Sequence, residues 1–132
     1  MSELITDYSE KENYEIVITT LNNLNWAHFK KFNENKKLEF VASDAFDWVK
    51  EHGQSNTIFV SSNGVLEYFK QERLESFLKE INLLGSTIFI AMEPNRAEHD
   101  LKTNVDTLLY GDEPSFSHNY PKLFKSAGFN LW

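Results

Sequence analysis

The residues of this 132-residue chain that could do chemistry stand at the ends of apolar runs. Ser61, Ser62 and Asn63 follow Thr57-Ile58-Phe59-Val60, and Gly64 comes next. Small polar side chains and one permissive residue thus meet where a buried strand delivers its chain to a ligand crevice. Asp44 follows a second apolar run, Leu38 to Ala42, and Glu93-Pro94-Asn95 closes a third, Ser86 to Met92. His99-Asp100 and His118 could form an acid/base or metal constellation with Glu93. A loop histidine with no local ligand spacing is more often unligated, and no resident metal is expected. Glu-Pro at a strand end reads equally as a turn. Tyr110, Phe116 and Tyr120 could wall a substrate or pack beneath a long loop. His28 and His52 fall at helix-surface positions, His52 suiting a helix C-terminus through its partial charge.

The elements that must position these residues alternate. Thr57 to Val60 is β-branched and aromatic, too apolar for an edge, and reads as a buried central strand. Tyr14 to Thr19 and Leu38 to Ala42 are further strands. Between them, Trp26, Phe29 and Phe32 recur at helical spacing over Leu24 to Phe32. Asp44 stands where an N-cap opens a helix carrying Ala45, Trp48, Val49 and His52 on one face, and Gly53 ends it. Gln71 to Asn82 places Leu74, Phe77, Leu78 and Ile81 at i, i+3, i+4 and i+7, the pattern of an amphipathic helix. Arg96 to Asn119 reads as irregular. Pro121 then starts a helix with Leu123, Phe124 and Ala127 inward, Gly128 caps it, and Phe129 to Trp132 could begin a last strand. Strands alternating with helices on short connections predict an α/β class with a mostly parallel sheet, right-handed crossovers and one domain over 1–132.

Composition bounds the partners. A net charge of −7 would repel a phosphate backbone, and Lys30, Lys31, Lys36 and Lys37 form the one basic patch, which reads as a solvated helix end. Nucleic acid is not expected. The absence of cysteine excludes disulfides, thiolate nucleophiles and cysteine-ligated zinc. No apolar run approaches the roughly 20 residues that span a bilayer. The start of the chain lacks the blocks of a signal peptide, so a soluble cytoplasmic protein without a membrane partner is expected.

LEFVASDAFDW, NTIFVSSNGVLEYF, STIFIAMEPN and NYPKLFKSAGFNLW, in that order, resemble the later motifs of class I S-adenosylmethionine-dependent methyltransferases. The resemblance covers the chain from about Tyr14 onward and implies a Rossmann-like sheet with flanking helices. It implies S-adenosylmethionine as cofactor and a small-molecule substrate. It places Asp44, backed by Ala45 and Phe46, on the adenine, and Ser61, Ser62 and Asn63 along the methionine arm and methyl-transfer site. Glu93 falls near the substrate mouth, with His99, His118 and Tyr120 as further substrate-side candidates.

Two departures matter. The family's first strand and glycine-rich loop find no counterpart before Tyr14, and Thr20 stands where an acid should hold the ribose, a weaker acceptor. In the family's sheet order that strand is central. Its loss leaves a gap, and unpaired buried amides cost about 1 to 3 kcal/mol each, so direct closure, Leu4 to Tyr8 or a second copy of the chain must fill it. The expectation is a truncated or degenerate methyltransferase-like domain with impaired cofactor binding, and no residue is singled out as catalytic. The alternative is a non-catalytic interaction or oligomerisation module on the same fold, a homodimer completing the sheet. A phosphoacceptor receiver fits worse, because Thr19-Thr20 and Glu93 replace its acidic pair and its lysine.

Overall fold

A computed structural model describes residues 16–20, 37–62, 64–110 and 114–132. The helix expected over Leu24 to Phe32, the acidic start of the chain, most of the basic patch and Asn63 lie outside the described residues. The chain divides into two compact units, Met1–His52 and Gly53–Trp132.

In the first unit, β1 (Ile16–Thr20) and β2 (Leu38–Ala42) run parallel, with Ile16 opposite Leu38 and Thr20 opposite Ala42. Helix α1 (Ala45–His52) follows at once and packs against β1. Its start is set by Asp44, whose Oδ1 accepts from the amides of Phe46 at 2.9 Å and Asp47 at 3.1 Å. Those amides would otherwise lack partners in the first turn. Phe46 and Val49 are the buried residues of α1, whereas Trp48 is half-buried and His52 exposed. The inward stripe is therefore rotated from the one the sequence suggests, toward Phe46.

The second unit is built on β3 (Ile58–Ser62) and β4 (Ile88–Met92), again parallel, with Phe59 opposite Phe89 and Ser61 opposite Ala91. Helix α2 (Gln71–Leu83) crosses between them and buries Leu74, Phe77, Leu78 and Ile81, the four positions its periodicity picks out. Leu74, Leu78 and Ile81 are wholly inaccessible, so truncating any of them to Ala costs about 2–5 kcal/mol. Phe59 and Phe89 stack on one face of the pair, and Phe124 of α3 (Tyr120–Ser126) meets the Phe89 ring edge-on at 5.0 Å.

Helix α3 carries complete punctuation at both ends. Asn119 Oδ1 accepts from the Lys122 amide, and Pro121 occupies the first turn. At the other end the Phe129 amide bonds Phe124 O and the Gly128 amide bonds Lys125 O, a Schellman motif with Gly128 at φ +102°. The Phe124 and Phe129 rings touch across it. Phe129 onward is thereby committed to capping, and the last strand expected there does not form.

Two further expectations are corrected. Arg96 to Asn119 is not wholly irregular: β5 (Leu108–Tyr110) and β6 (Ser115–Ser117) form an antiparallel ladder. Three-residue strands are too short for periodicity to register, and β6 turns its serines inward and its phenylalanine outward. Among the described residues the parallel pairing is β1 with β2 in the first unit and β3 with β4 in the second. Strand β3 is not buried on both faces, since Ile58 and Val60 are 58% and 62% exposed. The class is α/β, with short parallel pairing and three α-helices among the described residues. No helix among the described residues is long and apolar enough to cross a membrane.

Candidate functional site

The carboxyl ends of β3 and β4 deliver two polar groups to the same end of the second unit. Ser61 is the penultimate residue of β3 and is buried. Its register partner on β4 is Ala91, and Glu93 stands two residues further on. After β3, Gly64 at φ +77° turns the chain into a single 3₁₀ turn, Leu66–Tyr68. Glu93 reaches across to that turn: its Oε2 accepts from the amides of Val65 at 2.9 Å and Leu66 at 3.1 Å. Two amide donors on one carboxylate oxygen fix its direction and leave Oε1 pointing elsewhere.

Glu67, on the same turn, is also buried, and its carboxylate fills the space that a Cβ on Gly64 would need. Only glycine accepts both the positive φ and that neighbour. Opposite them, α3 begins with Tyr120, which is buried and lies edge-on against His118 with ring centroids 5.5 Å apart. Burial, then the charges of Glu93 and Glu67, push the Tyr120 phenol well above its ordinary range, so it keeps its proton. Three side-chain oxygens in this region are buried without a hydrogen-bond partner: Ser61 Oγ, Glu93 Oε1 and Tyr120 OH.

A second polar cluster lies beside the first and is closed. The Ser117 hydroxyl accepts from Asn95 Nδ2 at 3.0 Å and from the Arg96 amide at 2.9 Å, which leaves its hydrogen for His99 Nδ1 at 2.8 Å. His99 Nε2 faces Asn104 O at 3.0 Å and must donate to it. The network thus assigns His99 as the neutral Nε2–H tautomer. His118 also has both ring nitrogens paired, Nε2 donating to Phe69 O and Nδ1 meeting the Thr107 hydroxyl, both at 2.9 Å. Burial pushes the His118 pKa down, against the pull of the Phe69 and Leu66 carbonyls, and favours the neutral ring. Asn95 Nδ2 also donates to His118 O, and Asn119 Nδ2 to Leu101 O, so the long connection before α3 is tied at several points.

Of the residues singled out from sequence, Glu93, His118 and Tyr120 meet around the Leu66–Tyr68 turn, Ser61 stands near the end of β3 before it, and His99 lies in the adjoining network. Ser62 is half-buried at the last position of β3. Asp44, Ala45 and Phe46 come together in the first unit at the start of α1, where Asp44 caps the helix. Thr20 is the last residue of β1, and only its backbone is described. Both histidines spend both ring nitrogens on the protein itself, so they hold structure and present no nitrogen to a substrate or metal. Among the described residues no three His, Asp or Glu side chains are grouped so as to hold a metal ion.

Glu67 escaped sequence reasoning, as did Ser117, Asn95 and Thr107. A signal for Glu67 existed: an acid three residues after a turn glycine, set among Leu66, Tyr68 and Phe69, has little reason to be there unless it is used. Comparison with protein-family models, with curated proteins and with solved structures finds nothing that matches this chain.

Proposed function

We propose that the chain is a methyltransferase-like domain whose described acceptor side is the crevice at the carboxyl ends of β3 and β4. The observation that carries this is the set of three buried, unpartnered oxygens on Ser61, Glu93 and Tyr120. Each such group costs about 1–3 kcal/mol when left without a partner, and such costs are kept where a ligand supplies the partner. The position supports the same reading, because open α/β folds bind ligands outside the carboxyl ends of their parallel strands. So does the order of the sequence motifs around β2, β3, β4 and α3.

S-adenosylmethionine, when bound, supplies a methyl group on a sulfonium centre. The chain's own residues would do the positioning. Glu93, anchored by the Val65 and Leu66 amides, and the protonated Tyr120 phenol would orient an acceptor, while the rings of Phe69 and Tyr120 would limit water. Positioning of this kind supplies much of the acceleration of a displacement reaction. The sequence resemblance assigns the adenine to Asp44, whose Oδ1 caps α1.

The test is thermal: S-adenosylhomocysteine at millimolar concentration should raise the melting temperature, and Asp44→Ala should remove that rise. The variant also loses its cap, about 1 kcal/mol, so the quantity to read is the ligand-induced difference for each protein. No shift for the native chain rejects cofactor binding.

A self-associating module is the second reading, favoured by the outer face of the β3–β4 pair. Ile58, Val60, Ile88, Ile90 and Met92 form a continuous apolar surface there, each between 44% and 62% exposed, and exposed patches of that kind mark association sites. Sedimentation across a hundredfold concentration range should then show a dimer that Val60→Glu dissociates. A monomer throughout would count against it.

A further inference from the structure

We propose that the Ser61–Glu93–Tyr120 cluster binds an ammonium group, so that the small molecule it accepts is an amine. The proposal rests on the ligand-binding reading of this crevice and names the chemistry of what enters it. Ser61 is 6% exposed and Tyr120 8%, and the polar atom of each is without a partner, as is Glu93 Oε1. The three atoms differ in kind but agree in what they can take. Glu93 Oε1 can only accept, and the two hydroxyl oxygens each carry lone pairs that accept. An ammonium group offers three N–H donors and no acceptor, so it complements acceptors of every kind found here.

Charge points the same way. Glu93 and Glu67 both border the 3₁₀ turn, Glu93 through the Val65 and Leu66 amides and Glu67 against Gly64. The neighbouring rings of His118 and His99 have protein partners at both nitrogens. A carboxylate or phosphate entering here would meet repulsion from two acids. A neutral alcohol brings a single donor and would satisfy at most one orphan while leaving the carboxylate unneutralised. A metal ion is disfavoured because no third carboxylate or imidazole is grouped with these two among the described residues.

The ammonium could be that of a methyl acceptor or the amino-acid end of S-adenosylmethionine, and the experiment separates these sources. The native chain is titrated with n-butylammonium chloride, n-butanol and sodium butyrate at matched ionic strength, with binding read by ligand-detected NMR. Saturable binding of butylammonium, at least tenfold tighter than butanol and with no butyrate binding, is the expected result. Glu93→Gln should remove the preference for the cation. Since Glu93 also holds the 3₁₀ turn, Tyr120→Phe and Ser61→Ala serve as gentler variants, each expected to weaken butylammonium severalfold.

Displacement of butylammonium by S-adenosylhomocysteine identifies the cofactor's own amino group as the occupant; simultaneous binding identifies a separate amine acceptor. Equal affinity for butanol and butylammonium, or none for either, overturns the proposal. If butylammonium binds and S-adenosylhomocysteine does not, the ammonium site stands and the methyltransferase reading falls. The reverse pattern sinks the ammonium site alone.

Discussion

Two buried polar clusters sit side by side in the second unit and differ in one respect, saturation. Around Ser117, the hydroxyl, His99 and His118 each find a partner for every donor and acceptor described above. Around Glu93, three oxygens find none. Each cluster holds a buried serine, so residue type alone does not distinguish that hydroxyl's two roles. What separates them is the count of donors against acceptors. A closed network holds a fold together, whereas an open one costs stability until something outside the chain completes it.

Substitution of the hub residue on each side makes the largest contrast. Ser117→Ala strips a partner from Asn95 Nδ2, from the Arg96 amide and from His99 Nδ1 together, leaving buried polar groups unsatisfied. The expected loss is about 3 kcal/mol or more, measured as a lowered urea midpoint. Ser61→Ala removes a hydroxyl that bonds to nothing, and its stability should stay level or rise by up to about 1 kcal/mol. If the two serines cost the same, the distinction between the clusters is wrong.

Gly64→Ala attacks the geometry of the open cluster. Its φ of +77° is strained for any residue with a Cβ, at about 1–2 kcal/mol, and the new methyl would push the Glu67 carboxylate aside. Stability should fall by that amount, and butylammonium binding should weaken with it. Gly85→Ala is the matched control, since Gly85 has the same φ of +77° but no atom within 4 Å of the added methyl. It should carry the backbone cost and leave binding intact.

Acid sharpens the comparison from the other side. Burial holds the folded-state pKa of His118 below the ordinary histidine value of about 6.5, so on acidification the unfolded chain takes up this proton first. The stability that neutral His118 secures is full above about pH 6.5 and declines as pH falls from there toward its folded pKa. Unfolding midpoints should therefore drop between pH 7.5 and 5.5, and His118→Gln should flatten that slope. Asp100, whose carboxyl is held below its ordinary value first by the Lys102 amide, acts only in a lower window and does not confuse the measurement.

How much of this was legible beforehand follows from range. Helix α2 was visible because Leu74, Phe77, Leu78 and Ile81 report a local period, and the cap at Asp44 and the Pro121–Gly128 punctuation of α3 are equally local. The strands β2, β3 and β4 were visible as apolar runs, yet which of their faces is covered is not a local property, and the exposure of Ile58 and Val60 could not be read from them. Glu93 and Tyr120 were marked by position, one after a strand and one before a proline. Their relation to Ser61 spans 59 residues of chain from Ser61 to Tyr120 and depends on the register of β3 with β4. The histidines illustrate the same limit. His99 and His118 look reactive as isolated letters, and only the third dimension supplies Asn104, Thr107 and Phe69 as their partners.

The smallest expected effect is also the most discriminating, because its sign is unusual. Tyr120→Phe deletes one oxygen from a buried side chain and keeps the ring against His118. Removing a bonded tyrosine hydroxyl ordinarily destabilises by about 1 kcal/mol. Here the hydroxyl has no partner and lies near two carboxylates, so its removal relieves a desolvated dipole. The midpoint should rise by a few tenths of a kcal/mol, up to about 1 kcal/mol, while ligand affinity falls. Stability and binding moving in opposite directions from a single oxygen is what an incomplete site requires and what a structural hydrogen bond forbids. A destabilised Tyr120→Phe protein would place this phenol with the closed cluster instead.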